Sequence, residues 1–268
     1  RAPLRTAPPQ TVETIRRQLA PRLAGRLILD ARAHESAKFA SAVAARGARI
    51  GEVQRRGKYL LFALDNDHEL IVHLGMTGML RIAGPGAADQ YVRAAWDLDD
   101  GAILEYRDVR RFGRIAVVPR GSYASLPTLA AQGPEPFDDA FTPQQLWTAL
   151  GASTARVKTQ LLSQRPVAGV GNIYADEALW RARVHPASRH VTKPQAARLH
   201  EAVRHVLAQG IDNGGTTLRD YRNFEGGRGE NQFALACYGR GDEPCLRCAA
   251  PLRRTVIDAR GTTFCATC

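Results

Sequence analysis

The chain has 268 residues, 44% of them hydrophobic, with 37 Lys+Arg against 26 Asp+Glu, a formal net charge of +11 and a pI of about 10.0. A chain of this size buries a substantial core and divides into two or so domains, which sets aside the small scaffolds that depend on disulfides. No apolar run approaches the length of a membrane span, and the positive balance favours a polyanionic partner.

Residues 1–10 hold three prolines and no apolar period, the mark of an irregular arm. Val12, Ile15 and Leu19 then recur at helical spacing, which predicts a helix over 11–23 with Thr11 as N-cap and Pro21 ending its regular turns. From Gly25 to about Arg120 the pattern changes to short apolar runs at 26–30, 59–64, 69–73, 94–98, 102–106 and 115–118, separated by turn residues such as Asp99-Asp100-Gly101. Strands at this spacing predict a β-sandwich. Thr142-Pro143 is a cap followed by proline at the first helical position. Leu146, Trp147 and Leu150 supply the apolar face, and further helices are expected over 154–164, 172–183 and 194–209. The expected class is α+β multidomain: a β-sandwich with leading helix in 1–134, a helical domain in 135–237 and a cysteine-bearing hairpin in 238–268.

Four segments within this frame carry chemistry. Arg55-Arg56-Gly57-Lys58-Tyr59 sets a lysine at the mouth of a strand beside two arginines. Neighbouring positive charge raises the neutral fraction of an amine, so Lys58 reads as a Schiff-base nucleophile or as a plain phosphate contact. His73-Leu74-Gly75-Met76-Thr77-Gly78 runs a strand into a glycine-flanked turn whose methionine is an apolar wedge for a base stack or a core residue. Arg107 to Arg114 places four arginines and Phe112 within eight residues, a set that suits an orphaned base or a solvated turn. Gly169-Val170-Gly171-Asn172 opens a helix with Asn172 at the cap position. Backbone N–H groups there suit a phosphate, with Lys158 one helix earlier adding charge; an ordinary capped helix is the alternative.

The sharpest signal lies at the end, where Cys245-x-x-Cys248 and Cys265-x-x-Cys268 stand sixteen residues apart around a predicted strand. Two such knuckles can converge four thiolates on one Zn²⁺; two disulfides, or a zinc ribbon that only fastens a tail, are the competing readings. Arg240, Arg247, Arg253, Arg254 and Arg260 surround the knuckles, which makes nucleic acid the expected partner. Cys237 is left as a free thiol, in keeping with a reducing cytoplasm.

Together these segments resemble the formamidopyrimidine-DNA glycosylase and endonuclease VIII family of base-excision repair, over about residues 12–268. The resemblance implies an N-terminal β-sandwich, a helix-two-turn-helix domain around 169–177 and a zinc finger with one structural Zn²⁺. It also implies damaged double-stranded DNA in the cleft between domains, and a monomer in the bacterial cytoplasm. By the same resemblance Lys58 is the catalytic-site lysine of the β-domain, and Met76, Arg111 and Phe112 are the void-filling and strand-separating triad. Lys158 and Asn172 are phosphate contacts, Arg260 is the finger arginine at the lesion phosphate, and Glu177 lines the lesion pocket. The Arg-Phe pair, with the segment 216–236 as a loop that closes over an extruded base, resembles the branch that excises 8-oxoguanine and formamidopyrimidines with Schiff-base lyase chemistry.

The chain departs from the family at its start. Members begin Pro-Glu-Leu-Pro-Glu-Val-Glu-Thr, with the free proline amine as nucleophile; aligned on Val12-Glu13-Thr14, that proline is Ala7 here, the adjacent glutamate is Pro8 and the second glutamate is Thr11. An internal proline nitrogen is an amide with no basic lone pair, and the lost carboxylate removes a general acid worth about 10²–10⁴ in rate. Three readings follow: a glycosylase and lyase with Lys58 or another group in place of the terminal amine, a relative that binds damaged or abasic DNA without cutting it, or a general zinc-ribbon nucleic-acid binder.

Overall fold

The computed structural model describes residues 9–83, 89–216, 227 and 229–268. They form two compact units, divided after Pro127; the first takes in the described part of 214–229, and the second is built from Thr128–Asn213 and Glu230–Cys268. Among the described residues, no helix is long and apolar enough to cross a membrane.

The first unit opens with α1 (Pro9–Leu23), which begins two residues earlier than expected. Thr11 therefore lies inside the helix rather than at its cap, and the helix continues through Pro21. Proline at a helix start withholds an N–H that has no helical partner there in any case. Val12, Ile15, Leu19 and Leu23 are at most 1% exposed, and burying an aliphatic side chain of this kind contributes about 1.5–3 kcal/mol.

Eight strands follow: β1 (Ile28–Ala33), β2 (Ile50–Arg56), β3 (Tyr59–Leu64), β4 (His68–His73), β5 (Gly78–Ala83), β6 (Val92–Leu98), β7 (Ile103–Asp108) and β8 (Arg114–Pro119). They make two four-stranded antiparallel sheets, β1-β6-β7-β5 and β2-β3-β4-β8, the expected sandwich. Phe39, Phe62, Trp96 and Tyr106 fill its core, and the Trp96 indole N–H is satisfied by the Ala42 carbonyl at 3.1 Å. Tyr59 pairs with His73 and His73 with Arg114, so the β2–β3 turn, the β4–β5 turn and the β7–β8 connection open at the same end of one sheet.

The later elements are α2 (Pro127–Ala130), α3 (Pro143–Gly151), α4 (Val157–Leu162), α5 (Asn172–Ala182), α6 (Lys193–Asp212) and the hairpin β9 (Arg253–Ile257) with β10 (Arg260–Phe264). Thr142 caps α3 by accepting from the Gln145 N–H at 3.0 Å, and Thr192 with Gln195 forms a capping box on α6. The helix expected over 154–164 contracts to α4 because the Gln160 amide binds the Ser153 and Ala155 carbonyls, holding that stretch out of the helix. After α6 the chain comes back to its own departure point: the Glu230 N–H donates to the Asn213 carbonyl at 2.9 Å, and the Asn213 amide to Asn231 at 3.1 Å. The described helices from α3 to α6 and the cysteine hairpin fall within the second unit.

Candidate nucleic-acid interface

Lys58 sits in the two-residue turn between β2 and β3 and is only 5% exposed. The turn is braced from α1: Arg55 donates to the Gly57 carbonyl at 2.9 Å while its Nε meets Glu13 at 3.2 Å. Burial pushes the Glu13 carboxyl up, but hydrogen bonds from Arg16 and Arg17 and the charges of Arg16 and Arg55 bring it down to about 2. Arg55 is thus committed to a carboxylate and a carbonyl, which offsets part of the positive charge expected around Lys58. Beside the turn, His73 stacks on Tyr59 with ring centroids 4.7 Å apart. Its burial, reinforced by the charges of Lys58 and Arg114, lowers its pKa to about 3, so the imidazole is neutral near pH 7.

Met76 is half-buried on the β4–β5 turn, so the core-residue reading does not hold. Arg111 is exposed and Phe112 half-buried on the β7–β8 connection, with the Arg110 guanidinium 4.7 Å from the Phe112 ring. Arg111 adopts a left-handed backbone at φ 54°, and the Lys38 ammonium donates to its carbonyl at 2.8 Å. The two loops touch through their backbones. A Cβ on Gly75 would lie 2.6 Å from the Gly113 nitrogen and from the Phe112 carbonyl carbon, so only glycine permits that approach. The structure therefore brings Lys58, Met76, Arg111 and Phe112 to one end of the sandwich.

In the second unit the expected phosphate contacts take different roles. Lys158 is 0% exposed and its three donors are taken by Asp176 Oδ1 at 2.6 Å, Thr262 Oγ1 at 2.8 Å and the Gly261 carbonyl at 2.9 Å. It anchors β10 instead of offering its charge outward, a correction to the sequence expectation. Burial raises the Asp176 carboxyl to about 6 against the opposing pull of Lys158, and its second oxygen accepts the Thr263 N–H at 2.9 Å. Gly171, not Asn172, is the N-cap of α5; Asn172 is the first helical residue and its amide donates to the Gly261 carbonyl at 3.0 Å. Glu177 is a further correction. Its carboxylate accepts the backbone N–H groups of Ala236, Cys237 and Tyr238 at 2.7–2.9 Å, so it fastens the entry to the finger.

Arg260 begins β10, half-exposed, directly after the turn residues Asp258 and Ala259. Both have positive φ, 47° and 61°, as a two-residue type I′ hairpin loop requires. Asp258 is tied to Thr159 and, at 2.8 Å, to Arg156. The residues on either side of Arg260 are therefore pinned to α4 and α5.

The sulfurs of Cys245, Cys248, Cys265 and Cys268 lie within 4.8 Å of one another, and the four cysteines are free thiols, not disulfides. Separations of 3.5–3.7 Å match the roughly 3.8 Å edge of a tetrahedron with Zn–S bonds of about 2.3 Å, so these residues fit one structural Zn²⁺. The Trp180 indole N–H and Arg247 Nε each reach a ligating sulfur, Cys245 and Cys268, at 3.3 Å, donors that would orient the thiolates. Cys237 is buried, and its thiol, pushed up by that burial, donates to the Thr263 carbonyl at 3.1 Å. Neither the Lys158–Asp176 pair nor these indole and guanidinium donors had a signal in the sequence.

Residues 9–115 match the formamidopyrimidine-DNA glycosylase N-terminal domain, 132–222 its H2TH domain, and 242–268 the zinc finger found in FPG and IleRS. The formamidopyrimidine-DNA glycosylase of Deinococcus radiodurans is 43% identical over 272 residues, covering 96% of this chain and 95% of the relative. The crystal structure of MutM (Fpg) from Thermus thermophilus superposes with a TM-score of 0.90 at 44% identity and covers 97% of each chain. Lactococcus lactis Fpg, solved in complex with abasic-site DNA, gives a TM-score of 0.87 at 32% identity over 97% of this chain and 98% of its own. The chain belongs to the formamidopyrimidine-DNA glycosylase family.

Proposed function

We propose that the protein engages duplex DNA at an oxidised purine such as 8-oxoguanine or a formamidopyrimidine, turns the base out of the stack and excises it, with Schiff-base strand scission to follow. The observation that carries this reading is the gathering of Lys58, Met76, Arg111 and Phe112 at one end of the sandwich. Relatives solved with Fapy-dG DNA and with abasic DNA support it. In this reading Met76 fills the gap left by the base, Arg111 takes over hydrogen bonds of the orphaned partner, and Phe112 stacks beside it. Arg260, half-exposed on the zinc-held hairpin, takes a phosphate, with Asn172 setting the turn behind it. One chain acts per lesion.

The chemistry requires a neutral amine. Its lone pair attacks the sugar C1′, the bond from C1′ to the base breaks, and the base leaves with that electron pair and gains a proton. The nitrogen then gives up a proton and its lone pair expels the ring oxygen O4′, which is protonated, and the resulting iminium lets a C2′ proton be removed as the 3′ phosphate departs. The chain has four lysines. Of these, Lys58 stands in the β2–β3 turn, which opens at the same end of the sheet as the wedge loops, and is the side-chain amine assigned to this step. Ala7 and Pro8, which replace the family's proline and glutamate, lie outside the described residues, as does most of the 216–236 segment. That replacement favours the second reading, a protein that holds damaged DNA without cutting it. Borohydride trapping on 8-oxoguanine and abasic duplexes decides between them. An adduct that vanishes with Lys58→Ala supports the enzyme with Lys58 as amine, and one that persists assigns a different amine. Tight binding with no adduct establishes the silent binder, and equal affinity for undamaged duplex overturns both.

A further inference from the structure

Asp108 is 0% exposed at the end of β7, between the two loops that carry the wedge. Its Oδ1 accepts the Thr77 hydroxyl at 2.6 Å, and its Oδ2 accepts the Gly113 N–H at 2.8 Å and faces the Tyr106 hydroxyl at 3.3 Å. The Thr77 oxygen in turn accepts the Arg110 N–H at 3.2 Å. Thr77 follows Met76, Arg110 precedes Arg111 and Gly113 follows Phe112, so each wedge residue has a neighbour tied to this carboxylate, Thr77 and Gly113 directly and Arg110 through the Thr77 hydroxyl. Tyr106 also reaches the Leu74 and His73 carbonyls at 3.1 and 3.4 Å, which draws the root of the β4–β5 turn into the same cluster. Arg93 holds the Asp108 carbonyl at 2.9 Å.

We propose that Asp108 is a positioning residue that couples Met76 to the Arg111–Phe112 pair, so that the two loops enter a base stack as one body in fixed register. This rests on the wedge assignment made above. Two loops free to move separately would insert one after the other and lose orientation at each step; a carboxylate bonded to both loops pre-arranges them before DNA arrives. Lys38, on the Arg111 carbonyl, holds the far side of the same element.

The test needs no turnover. A duplex containing tetrahydrofuran as a stable abasic analogue, with 2-aminopurine as the neighbouring base, brightens when the stack is opened. The wild-type protein is expected to bind it with a clear rise in emission at saturation. Thr77→Val, which keeps the side-chain shape but removes the link, and Asp108→Asn are expected to give less than half that rise. Affinity for the analogue duplex should weaken about tenfold, while affinity for undamaged duplex changes less than twofold. Wild-type emission and affinity in both variants, with Met76→Ala defective, would overturn the coupling and leave the wedge standing. Wild-type behaviour in Met76→Ala and Phe112→Ala as well would overturn the wedge assignment itself. A parallel loss of affinity for damaged and undamaged duplex in Thr77→Val would mark Asp108 as structural only and sink the proposal.

Discussion

Replacing Lys158 by Met removes one member of an ion pair whose side chains are both 0% exposed and whose charged atoms are 2.6 Å apart. Methionine keeps most of the aliphatic stem, so the cost is chiefly electrostatic. Asp176 retains its bond from the Thr263 N–H at 2.9 Å but loses the ammonium, in a site where burial already lifts its pKa to about 6. A buried charge deprived of its partner costs about 3–5 kcal/mol, and the stability of the second unit should fall by that amount at pH 8. Acid should restore part of it. In the variant the folded pKa rises further, while the unfolded carboxyl stays near 4. Between those values the folded state holds a proton that the unfolded state lacks, and each pH unit of acidification returns about 1.4 kcal/mol. The wild type gains in the same way only below about pH 6, so from pH 8 to pH 5 the deficit should narrow by about 2 kcal/mol. Urea denaturation followed by circular dichroism at the two pH values measures both quantities. A deficit under about 1 kcal/mol at pH 8, or one that does not change with pH, would refute the buried-pair argument.

His73 has the opposite sign. Its folded pKa of about 3 lies below an unfolded value near 6.5, so below pH 6.5 the unfolded state gains the proton and stability falls. The first unit should lose about 1.4 kcal/mol between pH 7.5 and 5.5, and His73→Phe should remove that dependence in denaturation curves. Ala259→Gly relieves a side chain at φ 61° and should stabilise the finger hairpin by about 0.5–1 kcal/mol, read as a higher melting temperature; a lower one would contradict the type I′ turn. Chelating the metal should release the Trp180–Cys245 contact, alter tryptophan emission and abolish binding to a tetrahydrofuran duplex, whereas unchanged binding would separate the finger from recognition.

The sandwich and most helices were legible because their apolar periods are regular. β2 was not: its pairing slips between Ile50 and Val53, and that irregularity breaks the alternation a strand shows. β5 starts inside Gly75-Met76-Thr77-Gly78, where turn residues mask the strand. Lys58, Met76, Arg111 and the cysteines each belong to a compact local pattern, which is why the sequence singles them out as candidates. Lys158 and Glu177 were misread because their partners come from sequence-distant segments, Thr262 for the lysine and Ala236 to Tyr238 for the glutamate. Asp108 went unnoticed for a related reason: among four arginines a carboxylate reads as a solvated counter-ion, and only the fold buries it against Thr77 and Gly113.

The hydrogen bonds from Glu230 to Asn213 and from Asn213 to Asn231 close the base of residues 214–229. With departure and return fixed at one point, lengthening the intervening stretch adds entropy only logarithmically, about 0.6 kcal/mol for a doubling. A change in chain length between that departure and that return is therefore a small term against the hydrogen bonds that keep the neck closed.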